Sequence, residues 1–254
     1  CLVSCNPDQG LKKVGSVGLP LPHTNVKILL DTADGPKECN RDEIGEICIE
    51  NPGVYAGNTY TELAKNDNLY HYETYLRTGD LGRMDKDGYL WITGRAKDLI
   101  IRGGHNIDPA EIEEALAGHE AVGFAGAIGQ PDAHAGEIPC AYVELVSGGS
   151  ATPEELIEFV NARVSERAAR ATYIEIVPEL PKTAVGKVFK PALRKSAITR
   201  IYNESLESAG VDAQVQSVID DKQRGLVAQV SGDANDSAIT EVLGSFTRPW
   251  DRIA

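Results

Sequence analysis

The pattern of hydrophobic and polar positions changes near residue 95, and this change predicts two regions. Upstream, short β-branched runs are separated by glycine and proline, as in residues 14–22 (VGSVGLPLP) and 24–31 (TNVKILLD). Residues 43–50 alternate isoleucine with acidic residues, which is typical of a half-exposed strand. The Asp87-Gly88 pair between two short apolar runs is a strong hairpin signal. We therefore expect a β-rich region that forms a small barrel or sheet.

Downstream of residue 95, helices alternate with strands. Asp108-Pro109 followed by Glu111, and Thr152-Pro153 followed by Glu155, are capping signatures that mark two helix starts. Further elements are expected as strands over 122–128, 139–146 and 173–177 and as a helix from Pro191 to about Gly210. This order predicts an α+β sandwich of roughly 100 residues.

Residues 211–254 predict an appended ββα unit. Two β-rich runs can pair across DKQR, and an Asn/Asp cap precedes the amphipathic run NDSAITEVLGSF. No glycine linker separates this unit, so we expect it to pack on its neighbour. The predicted fold class is α+β, with a β-rich subdomain over 1–96, a small α+β domain over 97–198, and a helix end plus extension over 199–254.

Composition narrows the possible partners. The 254 residues carry a formal net charge of −13, which argues against a nucleic-acid or anionic-membrane surface. An anionic small ligand would therefore need a locally basic site. No run is long enough for a membrane span and no signal peptide is recognisable, so we expect a cytoplasmic protein.

The cysteines and histidines give no sign of a metal centre. The five cysteines are scattered without a C-x-x-C pair, and the five histidines show no i, i+4 spacing. We interpret the thiols as reduced and structural, and expect no metal site built by this chain. Since the chain begins at Cys1 and its one methionine is Met84, we expect it to be part of a longer protein.

Two loops near the change of pattern carry candidate chemistry. Asp80 follows Gly79 on a turn, where a carboxylate can accept two hydrogen bonds from a ribose diol. Arg95 offers a planar donor fork for phosphate or ribose oxygens. Lys97 lies between the two regions and could be an interdomain pivot. Taken alone, the Asp80 loop would more often be an ordinary solvated turn.

Two further loops could approach a ligand. Gly103 and Gly104 lack a Cβ and would let a ligand lie against the backbone, although an isolated pair is usually just a turn. Residues 181–190 (PKTAVGKVFK) could deliver Lys187 as a mobile charge to a phosphate, although such loops are usually solvated surface. The spacing fits neither a Walker A loop nor a dinucleotide fingerprint.

Taken together and in this order, the loops resemble the acyl-adenylate-forming superfamily. Two signature regions match nearly throughout: RTGDLGRMDKDGYLWITGRAKDLIIRGGHNIDPAEIE at 77–113 and LPKTAVGKVFKPALR at 180–194. A weaker match lies at 14–30. The superfamily includes acyl-CoA and aryl-CoA synthetases, peptide-synthetase adenylation domains and beetle luciferase. The resemblance covers about residues 12–198.

The resemblance implies a role for each candidate residue. Asp80 would hold the ribose hydroxyls of ATP, Arg95 would assist at ribose and phosphate, and Lys97 would be the hinge. Lys187 would contact the carboxylate and the α-phosphate, and Gly103-Gly104 would line the pantetheine tunnel. The implied substrates are a carboxylic acid, ATP with Mg²⁺, and CoA, used in two half-reactions between which the small domain rotates.

Several alternatives remain at this point. The phosphate-gripping loop and the Tyr-Gly-x-Thr-Glu motif of the family would lie before Cys1, so we expect the isolated chain to be inactive without that N-terminal portion. The reaction could load a carrier protein instead of CoA, and residues 211–254 could form a non-catalytic interaction module. Acetylation of Lys187 would remove its charge and could silence the enzyme. The acid could be aliphatic or aromatic.

Overall fold

The computed structural model describes residues 2–55, 57 and 59–253. The chain forms two compact units, one up to Lys97 and one from Asp98 onwards. Cys1 lies outside the described residues. No helix in the described ranges is both long and apolar enough to cross a membrane.

Apart from two short 3₁₀ turns, the regular elements of the first unit are strands. They are β1 (Ser4–Cys5), β2 (Leu19–Pro20), β3 (Asn25–Thr32), β4 (Gly35–Glu38), β5 (Gly45–Glu50), β6 (Tyr70–His71), β7 (Tyr75–Met84) and β8 (Leu90–Arg95). The main sheet has the order β4-β3-β5-β7-β6, and β8 pairs with β7. The hairpin predicted at Asp87-Gly88 is confirmed, since β7 and β8 are antiparallel with Met84 opposite Leu90.

The half-exposed character predicted for residues 43–50 is wrong for their central part. Ile47, Cys48 and Ile49 are all buried, and Cys48 has no exposed surface. The strand lies between β3 and β7, and polar side chains gather over the Cys48 face. Alternation along the sequence could not reveal this, because the groups that cover the second face come from other strands.

The second unit contains helices and strands in alternation. Its first part comprises β9 (Ile100–Arg102), β10 (His105–Ile107), α1 (Pro109–Ala117), β11 (Val122–Asp132), β12 (Gly136–Leu145), α2 (Pro153–Asn161), β13 (Tyr173–Ile176) and α3 (Lys190–Ser208). The sheet order is β10-β9-β12-β11, and β13 pairs parallel to β12. The mixed α and β architecture predicted from the sequence is confirmed.

Both predicted helix caps are present. The Asp108 side chain accepts a hydrogen bond from the Ala110 amide at the start of α1. Thr152 and Glu155 form the reciprocal capping box at the start of α2. These caps satisfy amide groups that have no partner within their own helix, which fixes where each helix begins.

Helix α3 contributes to two hydrophobic cores. Its first half buries Leu193 and Ala197 against the β-strands of the first part. Its second half buries Tyr202 and Leu206 in a separate core shared with the chain's last 40 or so residues. One continuous helix therefore joins the α+β domain to the extension.

The extension is a three-stranded sheet with one helix. Its elements are β14 (Gln214–Asp221), β15 (Gly225–Ser231), α4 (Asp236–Leu243) and β16 (Trp250–Arg252). The sheet order is β14-β15-β16, with β16 parallel to β15. The expected packing on its neighbour is confirmed by the core shared with α3. The predicted ββα unit lacked β16, which is only three residues long.

We expect Leu206→Ala to destabilise the second unit by about 3 kcal/mol, because it opens a cavity where the side chain is fully buried between α3 and the extension. Urea unfolding followed by circular dichroism measures the change. Ser196→Ala on the exposed side of α3 is the control and should stay within about 0.5 kcal/mol. Equal stability of Leu206→Ala and Ser196→Ala would contradict the packing described.

Candidate functional site

Asp80 and Arg95 lie opposite each other on the β7–β8 hairpin. They are paired in the strand register, and Arg95 Nε donates to Asp80 Oδ1 over 2.8 Å. Among the described residues, none donates to Asp80 Oδ2 and none accepts from the terminal nitrogens of Arg95. A carboxylate oxygen and a donor fork are thus presented side by side on a solvent-accessible surface, which suits a vicinal diol.

A bulge in β7 presents Asp80. Leu81 pairs with Glu46 and Arg77 with Cys48, so the three residues between Arg77 and Leu81 face Ile47 alone. Thr78 Oγ1 donates to the Ile47 carbonyl and accepts from the Asp80 amide. Such bulges bend a strand and re-aim a side chain. The Thr78 hydroxyl therefore fixes the backbone from which the Asp80 carboxylate projects.

Glu46 supports the same bulge from the neighbouring strand. Its Oε1 accepts from the Gly79 amide over 3.1 Å, and its Oε2 accepts from Arg77 Nε over 2.8 Å. Arg77 also donates to Asp31. Sequence reasoning missed Glu46, Arg77 and Thr78; the nearest signal was the polar RT pair directly before Gly79-Asp80.

The structure brings together one group of possible metal ligands that the sequence did not suggest. Ligand atoms of Glu46, Cys48 and His71 lie within 4.8 Å of one another. The Arg77 guanidinium already supplies a cation to Glu46, and burial raises the pKa of the Cys48 thiol to about 12. Because Arg77 already neutralises the Glu46 carboxylate, we interpret these three residues as a polar cluster on one face of β5 and β6.

Lys97 and the glycine pair lie on either side of β9. Lys97 is exposed in a single 3₁₀ turn over Ala96–Asp98. Gly103 and Gly104 form the two-residue turn between β9 and β10, with φ of 53° and 88°. This turn type needs positive φ at both positions. A Cβ on either glycine would meet no atom within 4 Å, so the surface beside this turn is open to a ligand.

Lys187 lies on the far arm of a tight turn. The Thr183 amide donates to the Lys187 carbonyl over 2.7 Å, and the Lys187 amide donates to Thr183 Oγ1. Gly186 takes a φ of 78° within the turn. The Lys187 side chain is exposed, and the ion pairs recorded among the described residues do not include its ammonium. The backbone is held by hydrogen bonds while the charged side chain is exposed to solvent.

Ion pairs fasten the base of this turn to β12 and to α1. Lys182 Nζ lies 2.7 Å from Glu144 at the end of β12, and the Leu180 amide donates to the same Glu144 oxygen. Lys190 Nζ lies 2.8 Å from Glu113. The hydrogen bond from Lys182, followed by that from the Leu180 amide, lowers the pKa of Glu144.

The glycine turn and the lysine turn lie at opposite ends of the β11–β12 hairpin. Arg102, next to Gly103, pairs with Gly136 at the start of β12, whereas the lysine turn is fastened to Glu144 near its end. At the rise of an extended strand, these anchor points are roughly 26 Å apart. One Lys187 side chain cannot bridge that distance, so the two turns lie at separate places on the second unit.

The middle of the chain matches a known protein family. Residues 111–187 match the AMP-binding enzyme C-terminal domain. This chain carries that domain. The match includes α1, the β11–β12 hairpin and the lysine turn up to Lys187.

Similar proteins extend the match beyond the AMP-binding C-terminal domain. The marinolic acid–CoA ligase of Pseudoalteromonas sp. (strain SANK 73390) is 40% identical over 248 residues, which covers 96% of this chain and 38% of that protein. The long-chain-fatty-acid–CoA ligase of Bacillus subtilis (strain 168) is 39% identical over 184 residues, covering 72% and 32%. The chain thus spans less than two fifths of the length of these curated relatives.

A solved structure agrees with these relatives. The O-succinylbenzoate coenzyme A synthetase of Bacillus subtilis, in complex with ATP and a magnesium ion, superimposes with a TM-score of 0.63 at 33% identity. The match covers 71% of this chain and 36% of that one. The chain is similar to the C-terminal part of adenylate-forming enzymes, which confirms the resemblance seen in the sequence.

We expect the stabilising effect of Glu144 to depend on pH. Its pKa in the folded chain lies below the ordinary value of 4.5, so its contribution is complete above the unfolded value and is lost as the pH falls through the folded value. The difference in unfolding free energy between the wild type and Glu144→Gln should therefore be largest near neutral pH and should close in acid. Urea unfolding across this pH range measures it.

Glu179→Gln, which changes an exposed glutamate before the same turn, is the matched control. A gap for Glu144→Gln that stays constant with pH, or one that the control reproduces, would contradict the ion pair with Lys182.

Proposed function

We propose that the complete protein containing this chain is an AMP-forming acid–CoA ligase. The observation that carries this proposal is the placement of the lysine turn and the glycine turn at opposite ends of one β-hairpin. A reaction in two steps, each using one end, accounts for this arrangement. Curated relatives named as CoA ligases support it.

In the first step, a carboxylate oxygen would attack the α-phosphorus of ATP and pyrophosphate would leave. Asp80 would accept hydrogen bonds from the ribose hydroxyls, and Arg95 would donate to ribose or phosphate oxygens. Lys187 would offset the negative charge that grows on the phosphate and carboxylate oxygens. Mg²⁺ would accompany ATP, as it does in the solved relative.

In the second step, the CoA thiol would attack the acyl carbonyl and AMP would leave. The open surface beside Gly103-Gly104 would receive the pantetheine arm, and Lys97 would be the pivot that exchanges the two ends. The corresponding domains would be residues 1–96, 97–198 and 199–254. The acid belongs to the carboxylic acids that such ligases activate, and fatty acids are the first class to test.

The cellular setting follows from these substrates. ATP and CoA are both available in the cytoplasm, where we place the protein. Acetylation of the exposed Lys187 would remove the charge needed in the first step and would switch off adenylate formation.

We expect Lys187→Ala in the complete protein to slow acid-dependent pyrophosphate release by about 10² to 10³, because one preorganised charge contact is lost in the transition state. Thioester formation from supplied acyl-adenylate should stay within about threefold of the wild type, since the second step uses the other end of the hairpin. Lys195→Ala on α3 is the control. Normal pyrophosphate release by Lys187→Ala would refute the role of Lys187.

We expect Gly104→Ala, in contrast to Lys187→Ala, to slow the second half-reaction and not the first. The added methyl group would lie on the open side of the turn and should slow thioester formation from acyl-adenylate about tenfold or more, while pyrophosphate release persists. Gly148→Ala is a matched control, because Gly148 also has a positive φ, of 77°, and open space around it. If both variants slow thioester formation equally, backbone strain rather than ligand contact explains the loss.

A further inference from the structure

The glycine turn is weakly tied to its own sheet. The register between β9 and β12 contains a single pair, Gly136 with Arg102. Otherwise β9 pairs only with β10, and the buried Ile100 and Ile107 hold this hairpin to the core. The position of its tip, Gly103 and Gly104, depends on further contacts from neighbouring residues.

Glu137 supplies one of these contacts and links it to the extension. Its Oε2 accepts from the Ile101 amide in β9 over 3.2 Å, and its Oε1 accepts from Arg248 over 2.9 Å. The Glu137 side chain is only 16% exposed. Arg248 comes from the segment between α4 and β16, far along the chain. One carboxylate thus contacts both the glycine hairpin and the extension.

The core of the extension fixes Arg248. Tyr202, which is fully buried on α3, donates its hydroxyl hydrogen to the Arg248 carbonyl over 2.6 Å. The neighbouring Thr247 approaches the turn before β12, since a Cβ on Gly136 would lie 3.9 Å from the Thr247 methyl group. The backbone that carries the Arg248 guanidinium is therefore held by packed structure.

The same turn before β12 holds the glycine pair directly. The Gly103 amide donates to the Ala135 carbonyl over 2.8 Å. Asp132 accepts from the His134 and Ala135 amides and closes the turn. The extension thus contacts Glu137 and Gly136, and the adjacent Ala135 binds Gly103. A short series of contacts therefore links the extension to the glycine turn.

We propose that the extension braces the glycine turn for the thioester-forming step, with Arg248 and Glu137 as positioning residues. This inference rests on the proposed function for its catalytic consequence and gives residues 199–254 a role within it. In this view, the extension is part of the ligase machinery and not a separate binding module.

The test uses the complete protein with Arg248→Ala, Arg248→Lys and the control Arg224→Ala. Arg224 forms a two-bond pair with Asp251 inside the extension, so its loss removes a comparable ion pair without affecting Glu137. Two readouts are needed: amide hydrogen exchange of the segment 100–107, and the separate rates of pyrophosphate release and thioester formation as CoA is varied.

We expect Arg248→Ala to raise amide exchange in 100–107 about threefold. Thioester formation should fall about tenfold or appear as a raised KM for CoA, with pyrophosphate release nearly unchanged. Arg248→Lys should restore part of both effects, and Arg224→Ala should behave as the wild type does.

Unchanged exchange in 100–107 would overturn the brace, and so would an equal loss of both half-reactions. If the wild type forms no acyl-CoA with any acid tested, the proposed function fails, while the exchange measurement still decides whether the extension orders the glycine turn.

Discussion

The antiparallel pairing of β11 with β12 is the constraint on which the second unit depends. It runs without a gap from Phe124 opposite Glu144 to Asp132 opposite Gly136. Helices α1 and α3 pack against it, and β13 extends it in parallel. Since antiparallel strands keep their ends at a fixed separation, the glycine turn and the lysine turn cannot approach each other by local adjustment. One turn could replace the other at a given place only if the second unit moved as a whole.

The charges near the candidate residues differ from the charge of the chain. With a net charge of −13, the chain as a whole is unfavourable for an anionic ligand. The exposed cations Arg95, Lys97 and Lys187 are local exceptions to that charge. Buried or half-buried carboxylates such as Glu46 and Glu144 are mostly neutralised by a neighbouring arginine or lysine, so they order the backbone without opposing an anion.

Features with local causes were predictable from the sequence. The caps at Asp108 and Thr152 and the turn at Asp87-Gly88 each depend on residues within a few positions of one another. That turn starts the β7–β8 hairpin, and a register shift of one residue between Leu81 and Gly82 then brings Asp80 opposite Arg95. The candidate residues themselves were recognisable because their motifs are contiguous.

Features with distant causes were not predictable. Glu46 accepts a hydrogen bond from Gly79, 33 positions away, and Glu137 accepts one from Arg248, 111 positions away. No periodicity in the sequence indicates such pairs. The burial of Cys48 depends on side chains from neighbouring strands. Strand β16 is three residues long and pairs in parallel after a helix, so its own sequence carries almost no strand signal.

The continuity of α3 has a consequence for how this architecture can vary among relatives. The face that bears Ile198, Tyr202 and Leu206 is apolar only because the extension covers it. A chain that ended near residue 198 would lose half the helix, and one that ended after α3 would expose that face to water. Acquiring or losing the extension therefore requires simultaneous change on the second half of α3. The second half of α3 and the extension are therefore expected to be gained or lost together.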